Sequence, residues 1–296
     1  MGFEDYMKYS CNLFEISQYA NEKGILENYY GQLKGNYRKF FEDISNVKEV
    51  KYAIRMYRAQ KEMMASAQML FEAKQNKKNG CVIGYFFLCY YALFHAMQAN
   101  LFLNINISDE EILPLSHVRV ESYFADFYCK GKKSIMPQEI IEMFQELKGF
   151  REVYSYSMPF NNPNNLNVDV EKLEYFIKLC FQHCNLISLI VNQLNNSVHW
   201  ERVHINELEN YFSECCYKED YVTGKLIKDI SDEIFWNEIK RNFGMDIMPF
   251  SVIADHHFDE YGGYDSRDLE KMGFKNVATI RHEAFSFYYN SIVLRG

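Results

Sequence analysis

The chain has 296 residues, of which 48% are hydrophobic and 24% charged, so a large core is available and a globally disordered protein is excluded. The net charge of −8 excludes a broad basic surface for nucleic acid, which would have to bind through a local patch. Only five prolines and fourteen glycines interrupt the chain, which favours long helices over many short strands.

Residues 1–45 predict an N-terminal helical extension of one or two short helices. From Ser45, a predicted N-cap, apolar side chains recur at steps of three and four as far as about Gln75, which indicates one long helix. A polar turn that ends in Gly80 separates this helix from the most apolar part of the chain.

That apolar part, Gly80–Leu103, predicts the helix around which the other helices pack. It is apolar on nearly all sides and carries no charged residue, which is typical of a helix buried in a core or in a bilayer. A membrane span, which needs roughly 20 apolar residues, is therefore one interpretation. The polar side chains of His95, Gln98 and Asn100 would be costly in lipid, so we favour a buried helix of a water-soluble protein and expect no membrane contact.

Beyond this helix, apolar side chains again recur at helical spacing, and polar or proline-containing turns separate the segments. Because short links between long helices favour antiparallel neighbours, residues 46–196 are predicted to form an antiparallel helical bundle. Residues 197–296 predict a small C-terminal α+β domain, so that the fold is mainly α overall. The predicted segments are helices at Ser116–Cys129, Pro137–Gly149, Asp169–Asn196 and Ile205–Cys216, a loop at 157–168, and extended runs at Pro249–Ile253 and Lys275–Ile280.

Three short segments of the predicted bundle occur in the order found in one known family. Tyr90–Ala96 reads YYALFHA, Leu115–His117 reads LSH and precedes an amphipathic helix and Gly131, and Phe150–Tyr156 reads FREVYSY. Over roughly residues 45–195 the chain resembles the HEPN family, in its non-toxin-like branch.

The resemblance implies a HEPN-like bundle of four or five helices that is often dimeric and belongs to prokaryotic toxin–antitoxin, anti-phage or nucleotide-linked stress systems. Many members of the family cleave RNA without a metal ion. In those members an Arg is followed, after four to six residues, by a His, and two such pairs meet across the dimer. There the Arg stabilises the charge of the phosphorane, and the His moves a proton from the ribose 2′-hydroxyl.

This chain departs from the pattern of the RNA-cleaving members. Arg151 is present, but the position five residues on is Tyr156, a phenol with an ordinary pKa of about 10, and Ser155 stands where the non-toxin pattern has Asp. The residues that we predict to converge in a catalytic site are Arg151, Tyr156, His117 and His95. The alternatives are that Arg151 and Tyr156 hydrogen-bond within the bundle or its dimer seam, that His95 is a core histidine, and that His117 caps a helix or lies at an interface.

The sequence predicts no cofactor and no metal site. The densest group of metal-ligating residue types, Asp255–Glu260, is interpreted as an exposed polar loop, and Cys180, His183 and Cys184 are explained by the packing of an apolar helix face. The eight cysteines form no CxxC pair and the N-terminal segment is acidic and polar, so we expect a reduced, cytoplasmic protein.

These features together predict a HEPN-type protein of a toxin–antitoxin or anti-phage defence type system that acts through RNA or a partner protein. We expect a homodimer, with RNA and an operon-encoded protein as partners. One alternative is a metal-independent RNA endonuclease in which Arg151 acts with Tyr156 or His117 in altered roles. The other is a catalytically silent dimeric scaffold that presents the C-terminal domain.

Overall fold

The fold was analysed in a computed structural model, and most of the residues that it describes are helical, which confirms the mainly α class. The described residues are 11–42, 46–131, 134–157, 167–194, 205–219, 223–227, 232–233, 235–237, 249–251, 254 and 271–294.

The helices follow the predicted periodicity closely as far as the end of the bundle. They are α1 (Phe14–Glu22), α2 (Leu26–Glu42), α3 (Asn46–Lys78), α4 (Val82–Leu103), α5 (Asp109–Ile112), α6 (His117–Phe124), α7 (Glu139–Glu152), α8 (Val170–Leu194), α9 (Ile205–Cys216) and α10 (Val277–Ile292). Helices α6 and α7 each continue into a π-helical turn, at Ala125–Cys129 and Val153–Ser157. Two short strands, β1 (Lys218–Glu219) and β2 (Leu226–Ile227), pair antiparallel.

Helix α4 lies at the centre of the bundle and packs against α3, α6, α7 and α8. The link from α3 to α4 is tight because Gly80 adopts a φ of 73°, which L side chains rarely adopt, and the two helices therefore run antiparallel. Small residues of α3, such as Ala59 and Ala67, are buried, and the Ser66 hydroxyl donates a hydrogen bond of 2.6 Å to the carbonyl of Ala92. Close packing of α3 on α4 thus fixes the positions of the α4 side chains.

Among the described residues, α4 alone is long and apolar enough to cross a membrane by the criteria of length and composition. Of its most apolar window, 56% is buried inside the protein. The core helix of a soluble protein meets the same two criteria, so they do not separate a core helix from a span.

The C-terminal end of α4 is buried, and a guanidinium from α3 satisfies its carbonyl groups. Arg55, only 5% exposed, donates hydrogen bonds to the carbonyls of Phe102 (2.8 Å), Asn104 (2.7 Å) and Ile107 (3.0 Å). The last carbonyls of a helix have no partner within the helix, and leaving them unpaired in a core is costly. Arg55 therefore fixes both the end of α4 and the turn that follows it.

Tyrosine hydroxyls satisfy further carbonyls at the same helix end. Tyr37 of α2 and Tyr52 of α3 both donate to the carbonyl of Leu103, at 2.6 and 2.9 Å. Tyr128, in the π-helical turn after α6, donates to the carbonyl of Asn100 at 2.9 Å. Burial raises the pKa of all three phenols, so they remain proton donors at any physiological pH.

A fully buried histidine extends this network to α8. His183 Nδ1 lies 2.7 Å from the side-chain oxygen of Asn100, and its Nε2 lies 2.6 Å from the hydroxyl of Tyr29. The amide oxygen accepts only, so Nδ1 carries the proton and Nε2 accepts from the phenol. Burial lowers the pKa of His183 to about 3, and the imidazole is neutral at pH 7.

Two predicted boundaries are wrong. The helix expected to end at Gly149 continues as α7 to Glu152, because Phe150 packs on Phe86 of α4 with 5.1 Å between ring centroids. The run Lys275–Ile280, expected to be extended, enters α10 at Val277. Of the other extended run, residues 250–251 are helical, residues 252–253 lie outside the described residues, and so does most of the predicted loop at 157–168.

Helix α10 is held by the same core as the bundle. It packs against α3 and α8, and its side chains Tyr288 and Ile292 are at most 1% exposed. Asn276, the residue just before α10, has a φ of 62°, and this backbone conformation turns the chain into the helix. Burial of the aromatic face of α10 outweighs the preference of the β-branched residues in this run for extended backbone.

We expect Arg55→Lys to lower the free energy of unfolding by about 2–3 kcal/mol, because one ammonium cannot reach three carbonyls and two of them lose their donor. Urea unfolding of the variant measures the change. Arg38→Lys, at an exposed position of α2, is the matched control and should leave the midpoint unchanged. Equal stability of the two variants would contradict the role given to Arg55.

We expect the free energy of unfolding to decrease below pH 6.5, because His183 binds a proton in the unfolded chain but not in the folded chain. The stabilisation is complete above pH 6.5 and is lost as the pH falls toward 3. Between pH 6.5 and 5.0 this group alone should cost about 2 kcal/mol. Urea unfolding at pH 7 and pH 5 should show a smaller loss for His183→Gln than for the exposed-site control His282→Gln, and parallel losses would contradict the assignment.

Candidate functional site

A cluster of polar side chains from three helices surrounds Tyr90 of α4, which is 0% exposed. The phenol oxygen lies 2.8 Å from Nδ1 of His117, the first residue of α6. The guanidinium of Arg151, near the end of α7, lies over the phenol ring at 4.7 Å from its centroid. Tyr90 thus joins a histidine and an arginine that are far apart in the sequence.

Local structure at the start of α6 places His117. Ser116 is the N-cap, and its hydroxyl accepts a hydrogen bond from the amide of Arg119 at 3.3 Å. The imidazole then packs on Phe94 of α4 with 4.3 Å between ring centroids. The predicted capping role therefore belongs to Ser116, and the side chain of His117 lies against α4.

His117 is uncharged at pH 7. Burial lowers its pKa below 6.5, and the positive charges of Arg151, His95 and Lys148 lower it further. Burial also raises the pKa of Tyr90, against the opposing effect of Arg151, so the phenol keeps its proton. The arrangement therefore combines a fixed cation with a neutral imidazole.

The side chain of Arg151 is 15% exposed, and its guanidinium lies 3.8 Å from the carboxylate of Glu152. A contact of that length with a half-exposed neighbour leaves guanidinium donors available for another anion. Stacking on the Tyr90 ring holds the planar group in one orientation.

A second imidazole, that of His95 on α4, lies next to the cluster and reaches it through Tyr91. His95 contacts Phe94 and Tyr91 with ring centroids 5.4 and 6.2 Å apart, and Tyr91 is also 5.7 Å from the ring of His117. Its Nδ1 donates to the carboxylate of Glu62 on α3. The side chain of His95 is 18% exposed, whereas that of Glu62 is only 2% exposed.

Glu62 is a buried carboxylate held between two cations. Its other oxygen accepts from Nε of Arg58 at 2.6 Å, one helical turn earlier on α3. Burial opposes ionisation of Glu62, but Arg58 and His95 outweigh it, and the pKa of the carboxyl lies below its usual value. Glu62 is therefore ionised at pH 7 and accepts hydrogen bonds from both sides.

The remaining predicted site residue lies elsewhere. Tyr156 is 80% exposed, in the π-helical turn after α7, while Arg151 points inward toward α4. The structure brings Arg151 and His117 together at Tyr90, places His95 one ring further away beside Tyr91, and leaves Tyr156 in solvent.

The sequence analysis missed three members of this site, namely Tyr90, Glu62 and Arg58. Tyr90 was named only as the first residue of the YYALFHA segment, although a tyrosine inside a buried helix usually finds a hydrogen-bond partner. The Arg58–Glu62 spacing of four residues, on a helix that carries a central apolar face, was the signal available for the other two.

The other candidate ligands take structural positions. His183 pairs with Tyr29 and Asn100, and burial raises the pKa values of Cys180 and Cys184 well above the usual range. In the part of the chain that the structure describes, no three His, Cys, Asp or Glu side chains form a metal-ion cluster. The run Asp255–Glu260 lies outside the described residues.

Comparison of the chain with the models of known protein families, with curated proteins and with solved structures gives no match. A guanidinium that can pair with a phosphate, beside a neutral imidazole that can exchange a proton, suits a phosphodiester ligand.

We expect Arg151→Gln to raise the pKa of His117, because the substitution removes a positive charge that now disfavours the imidazolium. Arg151 contributes most among the charges that lower this pKa, so its removal should produce the larger rise of the two variants. Titration of the His117 ring protons by NMR measures it. Arg119→Gln, on the same helix as His117 and exposed, is the control, and an equal shift in both variants would contradict the proximity argument.

Proposed function

We propose that the chain is a HEPN-type helical protein that associates with RNA through the face that carries Arg151, Tyr90 and His117. One observation carries the proposal. The three segments on which the resemblance depends lie on α4, α6 and α7, and each contributes one side chain to this cluster. Packing of α4 against α6 and α7 brings these segments together, and the polar side chain that each contributes makes their meeting point a candidate site.

The chemistry of the cluster supports an RNA backbone as its ligand. Arginine presents planar donors that match a phosphate group, and the Tyr90 ring fixes their orientation. The partly exposed imidazole of His117 lies on the other side of the phenol and can hydrogen-bond to the same RNA backbone. A protein with a net charge of −8 can hold RNA in this way only at a local site, which matches the small extent of the cluster.

We place the HEPN-like bundle at residues 46–196 and treat residues 197–296, which include α9, the β1–β2 pair and α10, as its C-terminal α+β extension. A homodimer is part of the proposal. Exposed apolar side chains near the cluster favour it, since Val118 is 65% exposed one residue after His117 and Tyr156 is 80% exposed five residues after Arg151. A cytoplasmic toxin–antitoxin or anti-phage setting, with an operon-encoded partner, rests on the resemblance.

A second candidate function is metal-independent cleavage of the bound RNA. The specific observation in its favour is that His117 is neutral at pH 7 and adjoins the guanidinium that would neutralise a phosphorane. Tyr156 has no part in this version of the site, because it lies in solvent.

We expect Arg151→Ala to weaken RNA binding by at least about tenfold, because one charge-assisted phosphate contact contributes roughly 1–3 kcal/mol. A filter-binding assay with labelled single-stranded RNA in EDTA, at low salt, measures the loss. Arg119→Ala, which removes an exposed arginine of α6, is the matched control and should bind as the wild type does.

Failure of the wild-type chain to retain RNA under these conditions would end the RNA proposal. If such a chain were dimeric and formed a stable complex with a neighbouring gene product, the silent scaffold would replace it.

A further inference from the structure

We infer that the C-terminal extension regulates the candidate site, because one guanidinium, that of Arg58 on α3, holds both the end of α9 and the carboxylate that binds His95. This role goes beyond the proposed function, since it belongs to residues outside the resemblance and needs no RNA. In this arrangement, anything that displaces α9 changes the hydrogen bond of His95.

Arg58 is the point at which α3, α4 and α9 meet. Its Nη1 donates a hydrogen bond of 3.1 Å to the carbonyl of Cys215, in the last turn of α9, and its Nε donates one of 2.6 Å to Glu62. The other oxygen of Glu62 accepts from Nδ1 of His95 on α4. Because the donors of a guanidinium point in fixed directions within one plane, Arg58 keeps both contacts only while α9 holds its present position on α3.

The buried carboxylate of Glu62 makes His95 sensitive to this position. Burial raises the pKa of Glu62, and Arg58 is the strongest of the charges that lower it. If Arg58 turns away, the pKa of Glu62 rises, and a carboxyl that binds a proton is a weaker acceptor for His95 than a carboxylate. A displacement of α9 therefore reaches the imidazole through two side chains of α3.

A buried ion pair holds the C-terminal extension on α3, one turn from Arg58. The carboxylate of Asp232 is 0% exposed, lies 2.5 Å from Nζ of Lys61 and accepts a hydrogen bond of 3.0 Å from the hydroxyl of Tyr57. We call Asp232, Lys61 and Tyr57 the latch. Removing one charge of a buried pair leaves the other without a partner, which is costly, so a single charge change at the latch weakens the docking of the extension.

Aromatic rings join α9 to the latch. Phe235 stacks on Tyr57 with 3.9 Å between ring centroids and an interplanar angle of 11°. Phe212 of α9 lies 5.9 Å from Phe235 and 6.4 Å from Tyr57, at angles of 18° and 24°. Since the three rings form one stack, the latch and α9 dock on α3 together.

The other end of this path borders the candidate site. The ring of His95 lies 6.2 Å from that of Tyr91, which lies 5.7 Å from that of His117. His117 in turn contacts the phenol of Tyr90, on which Arg151 is stacked. A regulatory change at His95 thus acts beside the residues to which we assign ligand binding.

NMR spectroscopy of the full chain without RNA tests the coupling. Since the Glu62 carboxylate accepts, Nδ1 of His95 carries a proton, and the hydrogen bond slows its exchange with solvent. Lys61→Met removes the cation of the latch and keeps its aliphatic stem. We expect the α9 amides and the His95 Nδ1 proton to exchange at least about tenfold faster, with the α8 amides unchanged. Asp126→Asn, at an exposed ion pair, is the control and should change none of these rates.

A double variant tests whether Arg58 transmits the effect. Arg58→Lys keeps a positive charge, but a single ammonium cannot reproduce the divergent contacts with Cys215 and Glu62. In this background Lys61→Met should still loosen α9, and it should change the exchange of the His95 proton by less than about twofold. An equal effect of Lys61→Met with and without Arg58 would overturn the inference.

The wild-type chain supplies a second measurement, which stands even if Lys61→Met fails to fold. Hydrogen exchange in rising urea below the unfolding transition resolves segments that open before the whole protein unfolds. We expect the α9 amides and the His95 Nδ1 proton to open together, at lower urea than the α8 amides. Opening of His95 together with α8 rather than with α9 would contradict the coupling.

Three further results overturn the inference and leave the proposed function standing, since no measurement involves RNA. One is unchanged exchange of α9 in Lys61→Met, because the latch then does not hold the extension. Another is faster exchange of α9 with an unchanged His95 proton, because the two are then independent. The third is an equal acceleration in α8 and α9, which makes the extension an ordinary part of the core.

Discussion

The buried end of α4 is the constraint on which the rest of the structure depends. An apolar helix that ends inside a protein leaves carbonyl groups without partners, and each must be paired or its desolvation lowers stability. Here the donors come from other elements, with Arg55 and Tyr52 on α3, Tyr37 on α2 and Tyr128 after α6. Four segments of the chain therefore meet at one point because one helix needs donors there.

This constraint also fixes the candidate site, which lies nearer the N-terminus of the same helix. Asn100 ties α4 to α8 through His183, and close packing of α3 along α4 sets the height at which Glu62 meets His95. A shift of α4 by one residue would rotate its side chains by about 100° and separate both contacts. The hydrogen-bond network at the end of α4 and the candidate site along α4 therefore both depend on the position of this one helix.

The long helices could be predicted from the sequence because their apolar side chains recur at helical spacing, which is a local property. The boundary at Gly149 and the start of α10 could not be, because each depends on packing against distant segments. The site was predictable only in part. Arg151 and the two histidines stand out as polar residues near the segments that resemble a family. Glu62 does not, since nothing local shows that a charged residue of α3 is buried against α4.

The charge of the site explains how an acidic chain can present a surface for an anion. The cations that reach this face, Arg151 and Lys148, have carboxylate neighbours at 3.8 and 3.6 Å that are themselves partly exposed. Glu62, a buried carboxylate of α3, is neutralised by Arg58 and by its hydrogen bond with His95. In the proposed function, an approaching phosphate meets a guanidinium held on a phenol ring beside the imidazole of His117, rather than the average charge of the chain. Local geometry, and not net charge, decides which ligand this face accepts.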